Sequence, residues 1–120
     1  MPHLTLEYSR NLSNFNPMRA LLALNTAMFD SGLFSEPDIK SRAIALETFL
    51  VGISPTPRGF AHVRIALLSG RSDEERKELA DAVLAALSAT IDRHNRAEIQ
   101  LSVETTELDR ASYAKAVING

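Results

Sequence analysis

The stretch Phe60–Glu75, FAHVRIALLSGRSDEE, contains the signals of a strand, a link and a helix start in direct succession. Ala61, Val63, Ile65 and Leu67 alternate with other residues, which is the period of a half-buried β-strand. Ser72 then stands three residues before Glu75, in the spacing of a helix capping box. Acidic side chains in the first helical turn are favoured by the helix dipole. This stretch therefore predicts a strand that leads directly into a helix.

The residues that follow predict the rest of this helix and then another strand. An apolar stripe predicts a helix that ends near Asp92, and Ala97–Glu104 predicts a strand with apolar residues on one face and polar residues on the other. The stripe consists of Leu79, Val83, Leu84, Leu87 and Ile91; the strand faces consist of Ile99, Leu101 and Val103, and of Glu98, Gln100 and Ser102.

The residues before this stretch show the same order. His3–Tyr8 alternates in the manner of a strand, and Asn16 before Pro17 is a favoured helix start. A helix is predicted from there to Gly32, and a strand through about Arg42–Phe49, with Ile44 and Leu46 on one face. The apolar stripe predicted for this helix is Met18, Leu21, Leu22, Asn25, Met28 and Phe29.

The chain thus reads as strand-helix-strand twice, with Leu4 matching Val63 and halves of about 1–58 and 59–120. Parallel pairing within each unit requires a crossover helix. We expect one α/β (α+β) domain over residues 1–120, with a four-stranded sheet and two helices on one face. The opposite face carries a mixture of residues and is either solvated or packed against other subunits. The apolar tail 108–120 is expected to dock on a neighbour.

Composition narrows the classes of function. The chain has 120 residues, a net charge of -2 and no cysteine. Nucleic-acid binding normally requires a basic surface, and disulfides or thiolate metal sites require cysteine. No apolar run approaches the roughly 20 residues of a membrane span. We expect a cytoplasmic protein without nucleic-acid or membrane partners, and neither a metal nor a cofactor motif is present.

Pro2 is the first candidate catalytic residue. A small second residue permits removal of Met1, and proline would then be a secondary amine at the new terminus. Free α-amino groups have a pKa near neutrality, within reach of general acid–base chemistry once burial or nearby cations disfavour the charged form. Many proteins begin with Met-Pro without any such role, so the dipeptide alone does not decide the matter.

Cations supply the other candidates. Arg71, before a helix start, either binds an anionic ligand or pairs with Glu74 or Glu75. Lys40 and Arg42 lie two apart and share a strand face, so they either bind one anionic ligand together or form a solvated basic edge. His62 either orients a substrate or is a hydrogen-bonded histidine of the sheet.

Together these residues resemble the 5-carboxymethyl-2-hydroxymuconate isomerases of the tautomerase superfamily. The similarity covers nearly the whole chain and is carried by Met1-Pro2-His3 with Glu7 and Ser9, by Ile39-Lys40-Ser41-Arg42, by Phe60-Ala61-His62-Val63 and by Gly70-Arg71-Ser72.

The resemblance implies a homotrimer and a cofactor-free keto–enol tautomerisation of an anionic dienol in homoprotocatechuate degradation. It implies Pro2 as the acid–base group, with Arg71, Lys40 and Arg42 holding carboxylates. Lys40 replaces the first arginine of the usual Ile-Arg-Ser-Arg, and lysine lacks the bidentate fork, which leaves the exact substrate open. The alternatives are a non-catalytic oligomeric module that binds an anionic metabolite and a purely structural trimer.

Overall fold

The strands and helices follow the predicted order. The computed structural model describes residues 1–120, and a single turn of 3-10 helix, Glu36–Asp38, precedes the second strand. The elements are β1 (His3–Ser9), α1 (Pro17–Asp30), β2 (Lys40–Leu46), β3 (Arg58–Leu68), α2 (Asp73–Ala89) and β4 (Glu98–Leu108). Neither helix combines the length and apolar character that crossing a membrane would require.

The sheet has the strand order β2-β1-β3-β4. Each strand-helix-strand unit forms a parallel pair, β1 with β2 and β3 with β4, and the two units meet through antiparallel pairing of β1 with β3. The core contains residues of both helices together with one face of the central strands. The predicted tandem arrangement, with both helices on one face of a four-stranded sheet, is confirmed.

Both helices begin at the predicted capping residues. The Asn16 side chain accepts a hydrogen bond from the Arg19 backbone N–H. Ser72 and Glu75 form both bonds of the capping box, each side chain reaching the other's backbone N–H. Such caps satisfy N–H groups that have no partner within the helix, and each contributes about 1 kcal/mol.

The buried face of α1 differs from the predicted stripe. The helix buries Ala20, Leu24 and Met28, whereas Met18 and Leu22 are 75% and 69% exposed. Met28 and the partly buried Leu21 of the predicted stripe do contact the core, and other members are exposed because α1 carries apolar residues on two faces, which periodicity alone cannot tell apart. The second face is open in the single chain.

The bounds of β2 also differ from the prediction of Arg42–Phe49. The strand begins earlier, at Lys40, and ends at Leu46. Ile44 pairs with Glu7 of β1 and therefore lies on the open face, while the small residue Ala43 pairs with Leu6 and faces the helices. Small residues on the covered face weakened the alternation that the prediction relied on.

Antiparallel pairing brings two distant parts of the chain together. His3 lies opposite Ala66, so the start of β1 is beside the end of β3. The link that follows β3 therefore passes close to the amino terminus. At the other end of the same pair, Tyr8 lies opposite Ala61, so the end of β1 is beside the start of β3.

The tail after β4 contacts its own chain. Arg110 donates to the Ser69 carbonyl, Tyr113 contacts His3, and Lys115 forms an ion pair with Asp38 at 2.8 Å. The residues beyond are exposed, including Ile118. The tail thus crosses the end of the sheet where the chain begins; the expected contact of its last residues with a neighbour stays a prediction.

Candidate active site

A cavity of about 480 Å³ lies beside the amino terminus. Met1 lines it, together with Arg71 from the link before α2 and residues of the tail. The segment after α1, including Phe34 and Asp38, forms another part of its wall. Four parts of the chain that are remote in sequence therefore meet in one recess with a mixed polar and apolar lining, at the open end of the β1–β3 pair.

Pro2 directly follows Met1, which lines this cavity. Its side chain is less than 2% exposed, and its carbonyl accepts a hydrogen bond of 3.2 Å from the Lys40 backbone N–H. With Met1 attached, the Pro2 nitrogen is a tertiary amide and has no basicity. Because Met1 lines the cavity, its removal would leave the Pro2 nitrogen as the terminal group facing that space.

The surroundings of the Met1 amino group lower the pKa of that group. Burial is the largest cause, and the positive charge of Lys40 is the second. The carboxylate of Asp38 acts in the opposite direction, and Lys115 lowers the pKa further. Desolvation and nearby cations both disfavour the ammonium form, so the environment favours a neutral amine.

Arg71 is held in place without a carboxylate partner. Its Nη2 donates to the Leu33 carbonyl at 2.8 Å, and its guanidinium carbon lies 5.5 Å from the centre of the Phe34 ring. Glu75 forms the helix cap with Ser72 instead of pairing with Arg71. The guanidinium therefore keeps donors free on the side of the cavity.

Lys40 and Arg42 lie near the amino terminus but outside the cavity. Lys40 donates through Nζ to the Asp38 carbonyl at 2.7 Å and lines a separate groove of about 700 Å³ between α1 and β2. Arg42 is exposed and donates to His3 Nδ1 at 3.0 Å. Burial first, and then Arg42 and Lys40, lower the pKa of His3. Of the three cations predicted for the site, only Arg71 lines the cavity, while Lys40 and Arg42 lie on β2 beside β1.

His62 belongs to a different cluster, on the open face of the sheet. Its Nδ1 lies 2.7 Å from Ser102 Oγ, and its Nε2 lies against the Glu104 carboxylate, which Arg64 also approaches. The hydrogen bond from His62 is the main cause of the lowered pKa of Glu104. The parallel β3–β4 register sets these residues side by side, so His62 is not brought to the cavity.

Sequence reasoning missed the contribution of the tail. Arg110, Tyr113 and Lys115 all line the cavity, as does Asp38. The tail has neither strand nor helix periodicity, so nothing local indicated where its side chains lie. No group of three or more histidine, aspartate or glutamate side chains is placed to hold a metal ion.

The fold and most of the chain match one family. The family model described as 5-carboxymethyl-2-hydroxymuconate isomerase matches residues 2–119. The crystal structure of a 5-carboxymethyl-2-hydroxymuconate isomerase from Deinococcus radiodurans R1 is 32% identical, with a TM-score of 0.87, over 96% of this chain and 88% of that one. No curated protein sequence matches significantly.

Two further solved structures share the fold at lower identity. A 5-carboxymethyl-2-hydroxymuconate delta-isomerase is 19% identical with a TM-score of 0.73, over 99% of this chain and 89% of that one. A protein described as a Q0 fused 4-OT wild type symmetric trimer is 17% identical with a TM-score of 0.75, over 95% and 91%. These likenesses confirm the tautomerase-like arrangement of the sheet and helices.

Proposed function

The chain belongs to the 5-carboxymethyl-2-hydroxymuconate isomerase family and is an isomerase of the tautomerase type, and we propose that Pro2 is its acid–base group. The proposed reaction is the keto–enol tautomerisation of 5-carboxymethyl-2-hydroxymuconate or a related anionic dienol. The observation that carries the proposal is that the buried Pro2 directly follows Met1, which lines a cavity together with Arg71.

Removal of Met1 gives Pro2 a basic secondary amine. In its neutral form, this amine accepts the proton of the enol hydroxyl, and the electron pair of the broken O–H bond stays on oxygen, which gives a dienolate whose C=O bond forms as its carbon–carbon π electrons take up a proton. The resulting ammonium then returns a proton to the carbon chain of the dienolate, where a new C–H bond forms. One proton leaves oxygen and one arrives at carbon, so the step balances as an isomerisation. Burial and the nearby Lys40 lower the pKa of the Met1 amino group, and we propose that they act in the same direction on the Pro2 amine that replaces it.

Arg71 is proposed to bind a substrate carboxylate and to stabilise negative charge on the dienolate. Its contacts with Leu33 and Phe34 fix the guanidinium before substrate arrives, so little reorganisation is required. Lys40 and Arg42 are proposed to add positive charge at the same end of the sheet. His62 has no role in this proposal because it pairs with Glu104 on the open face.

A homotrimer is the proposed assembly. The 4-OT neighbour is described as a symmetric trimer. Two surfaces of the single chain are open to such packing: the sheet face opposite the helices, and the second apolar face of α1 with Met18 and Leu22 exposed. A cytoplasmic location and a place in homoprotocatechuate degradation stay predictions.

Ketonisation measured by ultraviolet absorbance tests the proposal. Protein that begins at Pro2 is compared with Pro2→Ala, Arg71→Ala and the control Arg96→Ala, which removes an exposed arginine outside the cavity. We expect Pro2→Ala to lower kcat by about 100-fold or more, since acid–base groups contribute about 10²–10⁴-fold. Arg71→Ala should raise KM through the lost carboxylate contact and also lower kcat, because the dienolate charge loses a stabilising group. Equal rates for all four proteins would refute both assignments.

The alternative is a binding module without catalysis, favoured by one observation. With Met1 attached, the cavity still presents Arg71 without a carboxylate partner, while the Pro2 nitrogen is an inert amide. Such a protein would bind the dienol and leave its absorbance unchanged. Intact mass of the protein from its own host separates the two, because uniform retention of Met1 would leave only binding.

A further inference from the structure

The tail brings a second arginine to the cavity. Arg110 follows β4 directly, and its Nε and Nη2 donate to the Ser69 carbonyl at 3.2 and 2.9 Å. Arg110 and Arg71 both line the cavity, and neither forms a salt bridge with any carboxylate of the chain. A guanidinium has five N–H donors, so anchoring to one carbonyl leaves donors for a ligand.

One turn fixes both arginines. Ser69 offers its carbonyl to Arg110, while its N–H donates to the Leu108 carbonyl at 3.1 Å. Gly70 then adopts a φ of 119°, a conformation that side chains rarely allow, and Arg71 follows at once. The turn thereby sets two planar forks at the same recess, although they are 39 positions apart, as their residue numbers show.

The charges of the cavity are not balanced by the chain. Lys115 is paired with the only acidic side chain of the lining, Asp38, at 2.8 Å. Neither Arg71 nor Arg110 forms an ion pair with a lining residue, although Arg71 is near enough to Glu75, outside the lining, to help lower the pKa of that carboxyl. A ligand with one carboxylate would neutralise only one of the two arginines.

We propose that Arg110 is a specificity-determining residue that binds a second carboxylate of the substrate. The site then selects dienols with two or more carboxylates over monocarboxylate dienols. This inference rests on the proposed function, since it assigns a further residue to the same site. The competing explanation is that Arg110 only fastens the tail to the turn after β3.

The test compares two substrates that differ in charge. Protein beginning at Pro2 is assayed with 5-carboxymethyl-2-hydroxymuconate and with 2-hydroxypenta-2,4-dienoate, which has a single carboxylate. We expect Arg110→Ala to lower kcat/KM for the first about 10- to 100-fold, mainly through KM, the range of a charge-assisted hydrogen bond. The second substrate should change less than about 2-fold. Arg110→Lys should recover part of the loss because it restores charge without the fork.

Controls separate the two explanations and the two proposals. Arg96→Ala removes the same charge outside the cavity and should leave both substrates unaffected. A similar loss with both substrates, or none, would overturn the role of Arg110 and favour fastening of the tail. If wild type converts neither dienol, the proposed function fails, and calorimetric titration with propane-1,2,3-tricarboxylate and butyrate still tests Arg110. Weaker tricarboxylate binding by Arg110→Ala than by Arg96→Ala supports it; equal binding contradicts it.

Discussion

The two ends of the β1–β3 pair differ in what occupies them. At the open end, the start of β1 and the end of β3 border a cavity of about 480 Å³ that contains Met1, Arg71 and Arg110. At the opposite end, the end of β1 and the start of β3 are packed together. The two units have the same order of elements, so the repeat itself does not create a site.

The closed end is filled by short polar contacts. Ser9 is fully buried, accepts a hydrogen bond of 2.9 Å from the Phe60 N–H and donates to the Phe60 carbonyl. Asn11 donates to the Arg58 carbonyl at 2.9 Å. A Cβ on Gly59 would lie 2.7 Å from both Ser9 Oγ and Asn11 Oδ1. The open end is therefore distinguished by the start of the chain and by a cavity lined with cations, although both ends belong to the same strand pair.

Blocking the amine should have the largest effect, and it should act at the open end. A protein with one alanine added before Pro2 carries every side chain of the site but has an amide at Pro2. We expect kcat to fall about 10³-fold, since the general base is lost. The assay is ultraviolet ketonisation against protein beginning at Pro2, and unchanged unfolding would show that the fold survives. Full activity of the extended protein would exclude Pro2 as the base.

Gly59→Ala should damage the closed end alone. The new Cβ would meet Ser9 and Asn11, and overpacking of this kind costs about 1–3 kcal/mol of unfolding free energy. Urea denaturation measures it, with Gly120→Ala as a control because nothing lies within 4 Å of a Cβ there. The KM of the folded protein should not change. A stability equal to wild type would show that the closed end tolerates a side chain.

Ser9→Ala should have a smaller effect on the same end. It removes the partner of the Phe60 N–H in a buried position, a loss of about 1–2 kcal/mol. Ser13→Ala is the control, because Ser13 is exposed and its contact with Asn95 Oδ1 is made by the backbone N–H, which the substitution keeps. Urea denaturation distinguishes them, and equal midpoints would mean that water replaces the Ser9 hydroxyl.

Lys40→Ala should give the smallest change, at the open end. Lys40 is the second cause, after burial, of the lowered pKa of the Met1 amino group, and we expect its removal to raise the pKa of the Pro2 amine that takes the same place. Catalysis needs the neutral amine, and the acid limb of the pH profile of kcat/KM should therefore move to higher pH. Lys77→Ala, whose lysine pairs with Asp81 on α2, is the control. A shift to lower pH would contradict the assignment.

The sequence was most informative where the signal is local. Ser72 and Glu75 predicted the start of α2 because a capping box involves only four residues. The exposed side of α1 was misjudged because Leu22 and Leu24 are equally apolar, and only packing on the sheet decides between them.

The site was predictable only in part, for a similar reason. Pro2 and Arg71 stand next to local signals: a chain start and a helix start. Arg110 and Lys115 belong to a segment without periodicity, and their place depends on where β4 ends and how the tail crosses the sheet. His62 acquired its partners from the β3–β4 register, which a single strand does not contain.

The burial of Pro2 also bears on the order of events during synthesis. An aminopeptidase must draw the Met1–Pro2 bond into its own active site, yet in the folded chain Pro2 is buried and its carbonyl is bound by the Lys40 N–H. On the proposed function, excision of Met1 belongs to the nascent chain, before β2 has emerged and paired with β1. The proposed catalytic amine would then form while the polypeptide is still on the ribosome, and folding would afterwards fix its position beside the cavity.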